Sequence, residues 1–339
     1  SFSVLVNNTT PGADIFDFLL PANNNFTTGV PASGPSSIIA VDLDGDGRED
    51  AVVANATNAN VRAHINTTTP GAATVNFAAG FGFGFPLSSP AGLSFGDVTL
   101  DGRPDVVVAN RTVARLTVLR NITTLGGGPP AFVTSNVTSG GGPRGTAIGD
   151  LNGDGKNDIV AANGSSSTVT VILNGTAPGG LLNLPTGVDF ATDLNPSSVA
   201  LLDFNGDGRM DIATANQGAS NVTFYRNVTG FGATTPVFVS RTEVATAVGP
   251  AGIFVQDMNA DGRPDVITSA FDSDQVTVLI NSTGLGGALA SFNSFSNTPV
   301  GDGPEGVAVG DYNGDGRPDV AAAAKSGSVV SVIRNVTTP

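Results

Sequence analysis

Short apolar segments separated by turn residues recur along the chain. In the unit around residue 250, an apolar run at 253–255 precedes an acidic loop, and further runs follow at 266–270 and 276–280. A less regular apolar stretch at 236–239 comes before them. Short runs of β-branched and aliphatic residues bounded by Gly, Pro, Asn and Asp indicate β-strands. The pattern therefore predicts an all-β fold with four strands in each unit.

The segments within a unit differ in how they should pack. The runs before and after the acidic loop are nearly continuously apolar, so we expect both strands to be buried on both faces. The third segment alternates, and Thr170 is expected to face outward. Small residues dominate the second segment, as at 321–324, and should let neighbouring units approach closely near a central axis.

The acidic loop is nine residues long and recurs six times. Every copy has Asp at positions 1, 5 and 9, an oxygen-bearing side chain at position 3 and Gly at position 6. Successive copies begin 53 to 55 residues apart, at Asp42, Asp97, Asp150, Asp203, Asp257 and Asp311. Four strands in about 54 residues match the size of a β-propeller blade. The repeat predicts a single β-propeller domain over 1–339, in which 1–33 supply partial N-terminal blade strands and 34–339 form six repeats.

The loop chemistry predicts calcium sites. Calcium takes six to eight oxygen ligands, and a glycine at position 6 permits the sharp turn around the ion. A bare Asp-Gly hairpin turn is the alternative, but it needs neither Asp at positions 1 and 9 nor an oxygen at position 3. The predicted ligands are the side chains at positions 1, 3, 5 and 9 and the carbonyl at position 7: Asp42, Asp44, Asp46, Arg48, Asp50; Asp97, Thr99, Asp101, Arg103, Asp105; Asp150, Asn152, Asp154, Lys156, Asp158; Asp203, Asn205, Asp207, Arg209, Asp211; Asp257, Asn259, Asp261, Arg263, Asp265; Asp311, Asn313, Asp315, Arg317, Asp319.

Differences among the loops predict an order of affinity. Loop one carries Asp at positions 1, 3, 5 and 9 and should bind most tightly, whereas loop two has Thr99 at position 3 and should be weakest. About six calcium ions would offset most of the formal net charge of -14. Such an acidic chain is also a poor partner for nucleic acid, whose phosphates need a basic surface. We therefore expect cations, not nucleic acid, to bind.

The loops and the Gly-Pro pairs at 34, 142, 249 and 303 resemble the FG-GAP or VCBS repeats of integrin alpha-subunit propellers and of secreted surface proteins. The resemblance covers residues 34–335. It implies a calcium-binding propeller, secreted or at the cell surface, whose loops join the first and second strands of each blade. Rings of seven blades are usual in that family.

The resemblance also bears on the number of blades. In the family's strand order, the last unit ends with a third strand at Val329 to Ile333, while the N-terminus supplies a third strand at Phe2 to Val6 and a fourth at Asp14 to Leu20. Seven units of this length would need more residues than the chain has. We expect a seven-blade ring with part of one blade missing from this chain. The alternative is a closed six-blade ring whose N-terminal fourth strand completes the last blade.

Asn-x-Ser/Thr sequons stand at the end of every third segment. They are either glycosylation sites of a secreted glycoprotein or a turn element copied with the repeat. The candidates are Asn7, Asn66, Asn121, Asn174, Asn227, Asn281 and Asn335.

Residues suited to catalysis are scarce. The chain has no cysteine, and the single histidine, His64, lies in a third segment where a packing role is expected. Acids outside the loops are predicted to be solvated: Asp189, Asp193, Glu243, Asp272, Asp274, Asp302 and Glu305. We therefore expect no enzyme activity.

The remaining candidates concern partners. The aromatic insert Phe81-Gly-Phe-Gly-Phe85-Pro86 is expected to fold onto its own blade, with a ligand or assembly contact as the alternative. No apolar run is long enough to span a membrane. We predict an extracellular adhesion, interaction or assembly module that binds protein or glycan or self-assembles through edge strands. A lectin is the alternative, and a non-catalytic part of a secreted polysaccharide-active enzyme is less favoured.

Overall fold

The fold is built entirely from β-strands. The structure is a computed structural model, and it describes residues 2–13, 15–19, 25–26, 34–72, 74–83, 88–126 and 128–337. Every regular element in these ranges is a strand, which confirms the all-β prediction. None of these residues belongs to a helix long and apolar enough to cross a membrane. The predicted limits Asp14 and Leu20 and the insert residues Phe85 and Pro86 lie outside the described residues.

The six repeats form six antiparallel sheets, each a meander in which neighbouring strands follow one another along the chain. Five of these blades have four strands and the sixth has three. The first three are blade one (β5 Pro35–Val41, β6 Asp50–Asn55, β7 Asn60–His64, β8 Phe81–Phe83), blade two (β9 Pro90–Gly96, β10 Asp105–Asn110, β11 Arg115–Asn121, β12 Phe132–Thr138) and blade three (β13 Pro143–Gly149, β14 Asp158–Asn163, β15 Thr168–Ile172, β16 Val188–Ala191).

The other three blades repeat this order and register. They are blade four (β17 Pro196–Leu202, β18 Asp211–Asn216, β19 Asn221–Asn227, β20 Phe238–Ala245), blade five (β21 Pro250–Gln256, β22 Asp265–Ala270, β23 Gln275–Asn281, β24 Phe292–Pro299) and blade six (β25 Pro304–Gly310, β26 Asp319–Ala324, β27 Val329–Ile333). Each acidic loop joins a first strand to a second strand, so position 9 is the first residue of the second strand in all six blades.

The core consists of apolar layers between successive blades. Five clusters fill the five spaces from blade one to blade six. The second strands contribute most, because all of their residues are buried in blades one to five. This burial confirms the expectation for the second strands, and it explains their Val, Ile and Ala content.

Two packing expectations were wrong. The first strands are only half-buried along much of their length, because each is an edge strand of its sheet. They contact each other in succession from β5 to β25. Thr170 is buried at 1 % exposure and bonds Asp189, so the polar residues of that third strand face a neighbour, not solvent.

Glycines in the first strands also permit close approach of neighbouring blades. A Cβ on Gly92 would lie 2.3 Å from the carbonyl oxygen of Arg144 in the next first strand, and one on Gly252 would lie 2.7 Å from that of Glu305. Only a residue without a side chain permits these approaches.

Four short strands precede blade one. β1 (Phe2–Ser3) pairs with β4 (Asn25–Phe26), and β2 (Val6–Asn7) pairs with β3 (Phe18–Leu19). The number of blades matches the six-blade alternative, and no further sheet of three or four strands occurs among the described residues. One detail of that alternative was wrong, since β3 pairs with β2 and does not complete blade six beside β27.

Candidate metal-binding loops

Position 1 of each loop organises the turn through its carboxylate. In loop one, Oδ1 of Asp42 accepts the backbone N–H of Gly45 at 2.8 Å, and Oδ2 accepts that of Gly47 at 2.8 Å. Gly47, at position 6, has a φ of 84°, a conformation that favours glycine. The position 1 Asp also accepts the N–H of position 6 in the other five loops, at 2.7–2.8 Å. The six loops therefore share one backbone frame.

Position 9 holds the loop to its own blade. Oδ2 of Asp211 accepts the N–H of Phe204 at 3.2 Å, and Oδ1 accepts the N–H of Asn227 at 2.7 Å. The corresponding carboxylates make the same two bonds in the other blades. All six are at most 1 % exposed: Asp50, Asp105, Asp158, Asp211, Asp265 and Asp319.

Burial makes the charge on these carboxylates costly. Desolvation raises the pKa of Asp50 and Asp158 to about 6 and that of Asp211 to about 7. It also raises the pKa values of Asp105 and Asp265. A desolvated carboxylate is stabilised either by a proton or by a nearby cation.

Position 3 distinguishes loop one from the rest. Asp44 is 0 % exposed, and neither carboxylate oxygen has a hydrogen-bond partner. Carboxylate oxygens of Asp42, Asp44 and Asp50 lie within 4.8 Å of one another, and the described chain has no other such group of three His, Asp or Glu. Burial, together with the neighbouring carboxylates of Asp46 and Asp42, raises the pKa of Asp44, and a weak contact with the backbone N–H of Asp46 offsets only part of this rise. An unpaired buried carboxylate among two others fits a divalent cation.

Loops three to six carry Asn at position 3. The Oδ1 atom of Asn152 accepts the N–H of Asp154 at 3.1 Å, while its Nδ2 donates to the carbonyl of Ala233 at 2.9 Å. The amide is thus fixed with its oxygen inside the loop, and Asn205, Asn259 and Asn313 make the same inward bond. Each of these loops can offer a neutral oxygen at the place where loop one has a charged one.

In loop two, the side chain at position 3 donates a hydrogen bond to the carboxylate at position 9. The hydroxyl of Thr99 donates to Oδ2 of Asp105 at 3.1 Å, and the N–H groups of Val98 and Thr99 donate to the same oxygen at 3.0 Å. With the N–H of Asn121 on Oδ1, Asp105 accepts four bonds. This loop therefore satisfies its buried carboxylate with protein donors.

The basic residue at position 7 pairs with the acid at position 5. Lys156 lies 2.9 Å from Asp154 and Arg103 lies 2.7 Å from Asp101, both partly exposed. Arg48, Arg263 and Arg317 make the same pairing, whereas Arg209 bonds the carbonyl of Thr229 and Arg226 pairs with Asp207. These side chains offset the negative charge at the mouth of each loop.

The sequon asparagines connect neighbouring blades, a role that the sequence analysis missed. Nδ2 of Asn227 donates to the carbonyl of Leu151, at position 2 of the preceding loop, at 2.7 Å, and its Oδ1 accepts the N–H of Thr229. The available signal was spacing, because each of these asparagines follows position 9 of its loop by 16 residues. Asn121, Asn174, Asn281 and Asn335 make the same inter-blade bond.

Burial bears on the proposed glycosylation. These five asparagines are at most 9 % exposed, and the amide nitrogen that would carry a glycan is already a donor. The geometry favours the copied-turn alternative for them. Asn7 is exposed and Asn66 is half-buried, and glycosylation at these two stays a prediction.

The remaining candidates occupy structural positions. His64 is 2 % exposed and its ring meets that of Phe2 edge-on at 5.2 Å. The aromatic insert supplies strand β8, and Phe83 packs against Phe132 of blade two at 4.9 Å. Several acids outside the loops have local partners: Asp189 with Thr170, Asp193 with Asn221, Glu243 with Arg241, Asp274 with the N–H of Gly303, and Glu305 with Lys325.

A family comparison identifies the repeat. The model for the FG-GAP-like repeat matches five overlapping pairs of units, at residues 42–108, 97–161, 150–214, 203–268 and 257–322. The chain belongs to the FG-GAP-like repeat family. Each match begins at position 1 of an acidic loop and ends in the second strand of the next FG-GAP unit, so each match contains two acidic loops. No curated protein sequence matches the chain.

Solved structures resemble the FG-GAP propeller in fold alone. A proposed 6-phosphogluconolactonase from Bacteroides uniformis aligns with a TM-score of 0.60 and 14 % identity, over 89 % of this chain and 81 % of that one. A protein from Lactobacillus plantarum aligns at 0.54 and 15 %, over 99 % and 96 %. Virginiamycin B lyase from Staphylococcus aureus aligns at 0.52 and 12 %, over 91 % and 86 %.

Proposed function

We propose that this FG-GAP propeller is a calcium-stabilised binding or structural module that works outside the cell. The observation that carries the calcium proposal is Asp44, a fully buried carboxylate without a hydrogen-bond partner beside Asp42 and Asp50. Calcium would supply the positive charge that this group lacks, and it would also compensate the raised pKa values at position 9.

The loop frame supports calcium at the other sites. All six loops use the same position 1 and position 9 bonds, so a ligand arrangement built in loop one has a counterpart in each blade. Loops three to six replace only one charged oxygen with an amide oxygen. In loop two, binding would require the hydroxyl of Thr99 to leave Asp105. The expected order of affinity is therefore loop one first and loop two last.

The binding role rests on fold and family. A propeller of FG-GAP repeats suits an interaction or structural module, because its loops and strand edges are presented around a rigid ring. The acidic surface and the calcium requirement suit an extracellular setting, where free calcium is abundant enough for sites of moderate affinity. The proposal includes no catalytic role, because the single histidine is buried against Phe2.

Thermal unfolding with and without calcium tests the proposal. After exhaustive treatment with a chelator, we expect the melting temperature to drop by roughly 10 °C or more, to recover with calcium and to recover much less with magnesium. Asp44→Asn should reduce the recovery, whereas the matched control Glu49→Gln removes an exposed charge from position 8 of the same loop and should not. An unchanged melting temperature in the chelated protein would overturn the calcium proposal.

A further inference from the structure

Among the described residues, one face of blade six lacks the neighbour that the same face has in the other five blades. Val330 in β27 is 53 % exposed, while the matching residues Val276 and Val222 are 1 % and 0 % exposed. Ala323 in β26 is also exposed, although its counterpart Ala162 is completely buried. Blade six therefore presents to solvent an apolar surface that the repeat normally covers with the next blade.

Blade one has the complementary opening. Ile38 in β5 is 52 % exposed, whereas the matching residues Leu93 and Val199 are 8 % and 6 % exposed because each packs against the preceding blade. Among the described strands, β25 and β5 have no contact comparable to that between other successive first strands. A gap thus separates the inner strands of blade six from those of blade one.

The outer part of this gap is already occupied by strands β2 and β3, which form the N-terminal hairpin. Nδ2 of Asn7 donates to the carbonyl of Tyr312, at position 2 of loop six, at 2.7 Å, as Asn335 does to Met258 of loop five. The N–H of Gly12 donates to the carbonyl of Asn313, at position 3, at 2.5 Å. Gly126, Gly232 and Gly286 make the same bond to loops one, three and four. Strands β2 and β3 therefore dock on blade six as the third and fourth strands of a following blade do.

The same hairpin region reaches blade one. The ring of Phe2 packs against His64, and Phe26 packs against Phe77 at 5.0 Å. These contacts resemble the aromatic pair Phe190 and Phe238 between the outer strands of blades three and four. The N-terminal strands thus bridge blades six and one at the position of an outer half-blade.

The hydrogen bonds of Asn66 also indicate that the inner half of that blade is absent from the described residues. Its Nδ2 donates to the carbonyl of Glu49 in its own blade at 3.0 Å, as Asn227 does to Met210. Asn227 also donates to a carbonyl of the preceding loop, and Asn66 does not make this bond to any described residue. The carbonyl in question would belong to an acidic loop in front of blade one.

We propose that the gap between blades six and one binds a polypeptide segment with the sequence of this repeat's own fourth, first and second strands. These three strands are consecutive in the repeat, and no described strand occupies their places between β27 and β2. The fourth strand would pair with the free side of β27, and the other two would cover Val330, Ala323 and Ile38. Apolar packing and strand pairing would hold this segment, so its binding does not depend on calcium.

Single cysteines provide a direct test, because the chain has none of its own. The Ile38→Cys and Ala323→Cys variants should react rapidly with a maleimide, as should the control Leu181→Cys on a loop residue that is 88 % exposed. A peptide copy of residues 286–324 should slow labelling at 38 and 323 by about tenfold at 90 % occupancy, and a scrambled peptide should not. Labelling at 181 should stay unchanged.

Two further variants keep the test decisive. A copy of residues 286–324 fused after Pro339 removes the need for a separate peptide to find the gap, and Val330→Cys replaces Ala323→Cys if that variant does not fold. Rapid labelling in the fused chain would overturn the proposal. Slow labelling that depends on protein concentration in the absence of peptide would also overturn it, and would show that a second copy covers these faces.

Discussion

Loops one and two have the same length, the same glycine at position 6 and the same bonds from position 6 to position 1 and from position 2 to position 9. They nevertheless differ in how their buried carboxylates are satisfied. In loop one the position 3 carboxylate of Asp44 has no protein partner. In loop two the position 3 hydroxyl of Thr99 donates to Asp105. The side chain at position 3 thus decides whether the loop contains a buried carboxylate without a protein donor. The frame of backbone bonds is common to all blades, and the proposed metal affinity would depend on the residue at position 3.

Removing position 9 should have the largest effect and should separate the two loops. Without calcium, Asp105→Ala should cost about 4 kcal/mol, because it leaves several buried donors unpaired, while Asp50→Ala should cost about 2 kcal/mol since it frees two. Urea unfolding in the presence of chelator measures both. With saturating calcium we expect the order to reverse, because Asp50 is also a predicted ligand. Equal costs under both conditions would contradict the comparison.

Exchanging position 3 should convert one loop toward the other. Thr99→Asp should strengthen calcium binding at loop two by tenfold or more, about 1.4 kcal/mol, and should destabilise the calcium-free protein by burying a second charge. Asp44→Asn should weaken loop one by a similar factor. Calorimetric titration of each variant measures the change, with Glu49→Gln as the control. A Thr99→Asp variant with unchanged affinity would show that position 3 does not set the order.

The inter-blade bonds should matter less than the carboxylates. Asn121 is buried and bonds the carbonyl of Leu43 in loop one, so Asn121→Ala should cost about 2 kcal/mol. Asn66 is half-buried and bonds only within its own blade, so Asn66→Ala should cost below about 1 kcal/mol. Chemical denaturation of both variants in saturating calcium provides the comparison. A larger loss for Asn66→Ala would contradict the proposed gap in front of blade one.

At neutral pH His64 should have the smallest effect, because its contribution is confined to acidic pH. Burial, and to a lesser extent the charge of Arg62, lowers the pKa of His64 from 6.5 to about 4. Between these values the unfolded chain binds more protons than the folded one, so stability is complete above pH 6.5 and falls by about 3 kcal/mol by pH 4. The single imidazole can be followed by NMR without assignment. Titration near pH 6.5 in the folded protein would contradict its burial, and His64→Gln should remove this part of the pH dependence.

The sequence predicted the parts of the fold that repeat and missed those that depend on neighbours. Six acidic loops at nearly constant spacing were enough to predict the blades, because each loop forms the same local turn. The role of Asn227 was missed because its partner, Leu151, lies in another blade, 76 residues away. The sequence also could not show which group the Thr99 hydroxyl contacts, since a threonine hydroxyl can face a metal or a carboxylate. The N-terminal strands were recognised by their order, but only the structure shows that Asn7 docks on loop six.

A direct count of bound calcium tests the central claim. After equilibrium dialysis against calcium, mass-spectrometric metal analysis of the wild-type protein should find about six ions per chain, with the weakest lost first as calcium is lowered. Asp44→Asn should lose an ion that Glu49→Gln retains. A protein that binds no calcium while remaining folded would contradict the account, because the carboxylate of Asp44 would then be buried with neither a protein partner nor a cation.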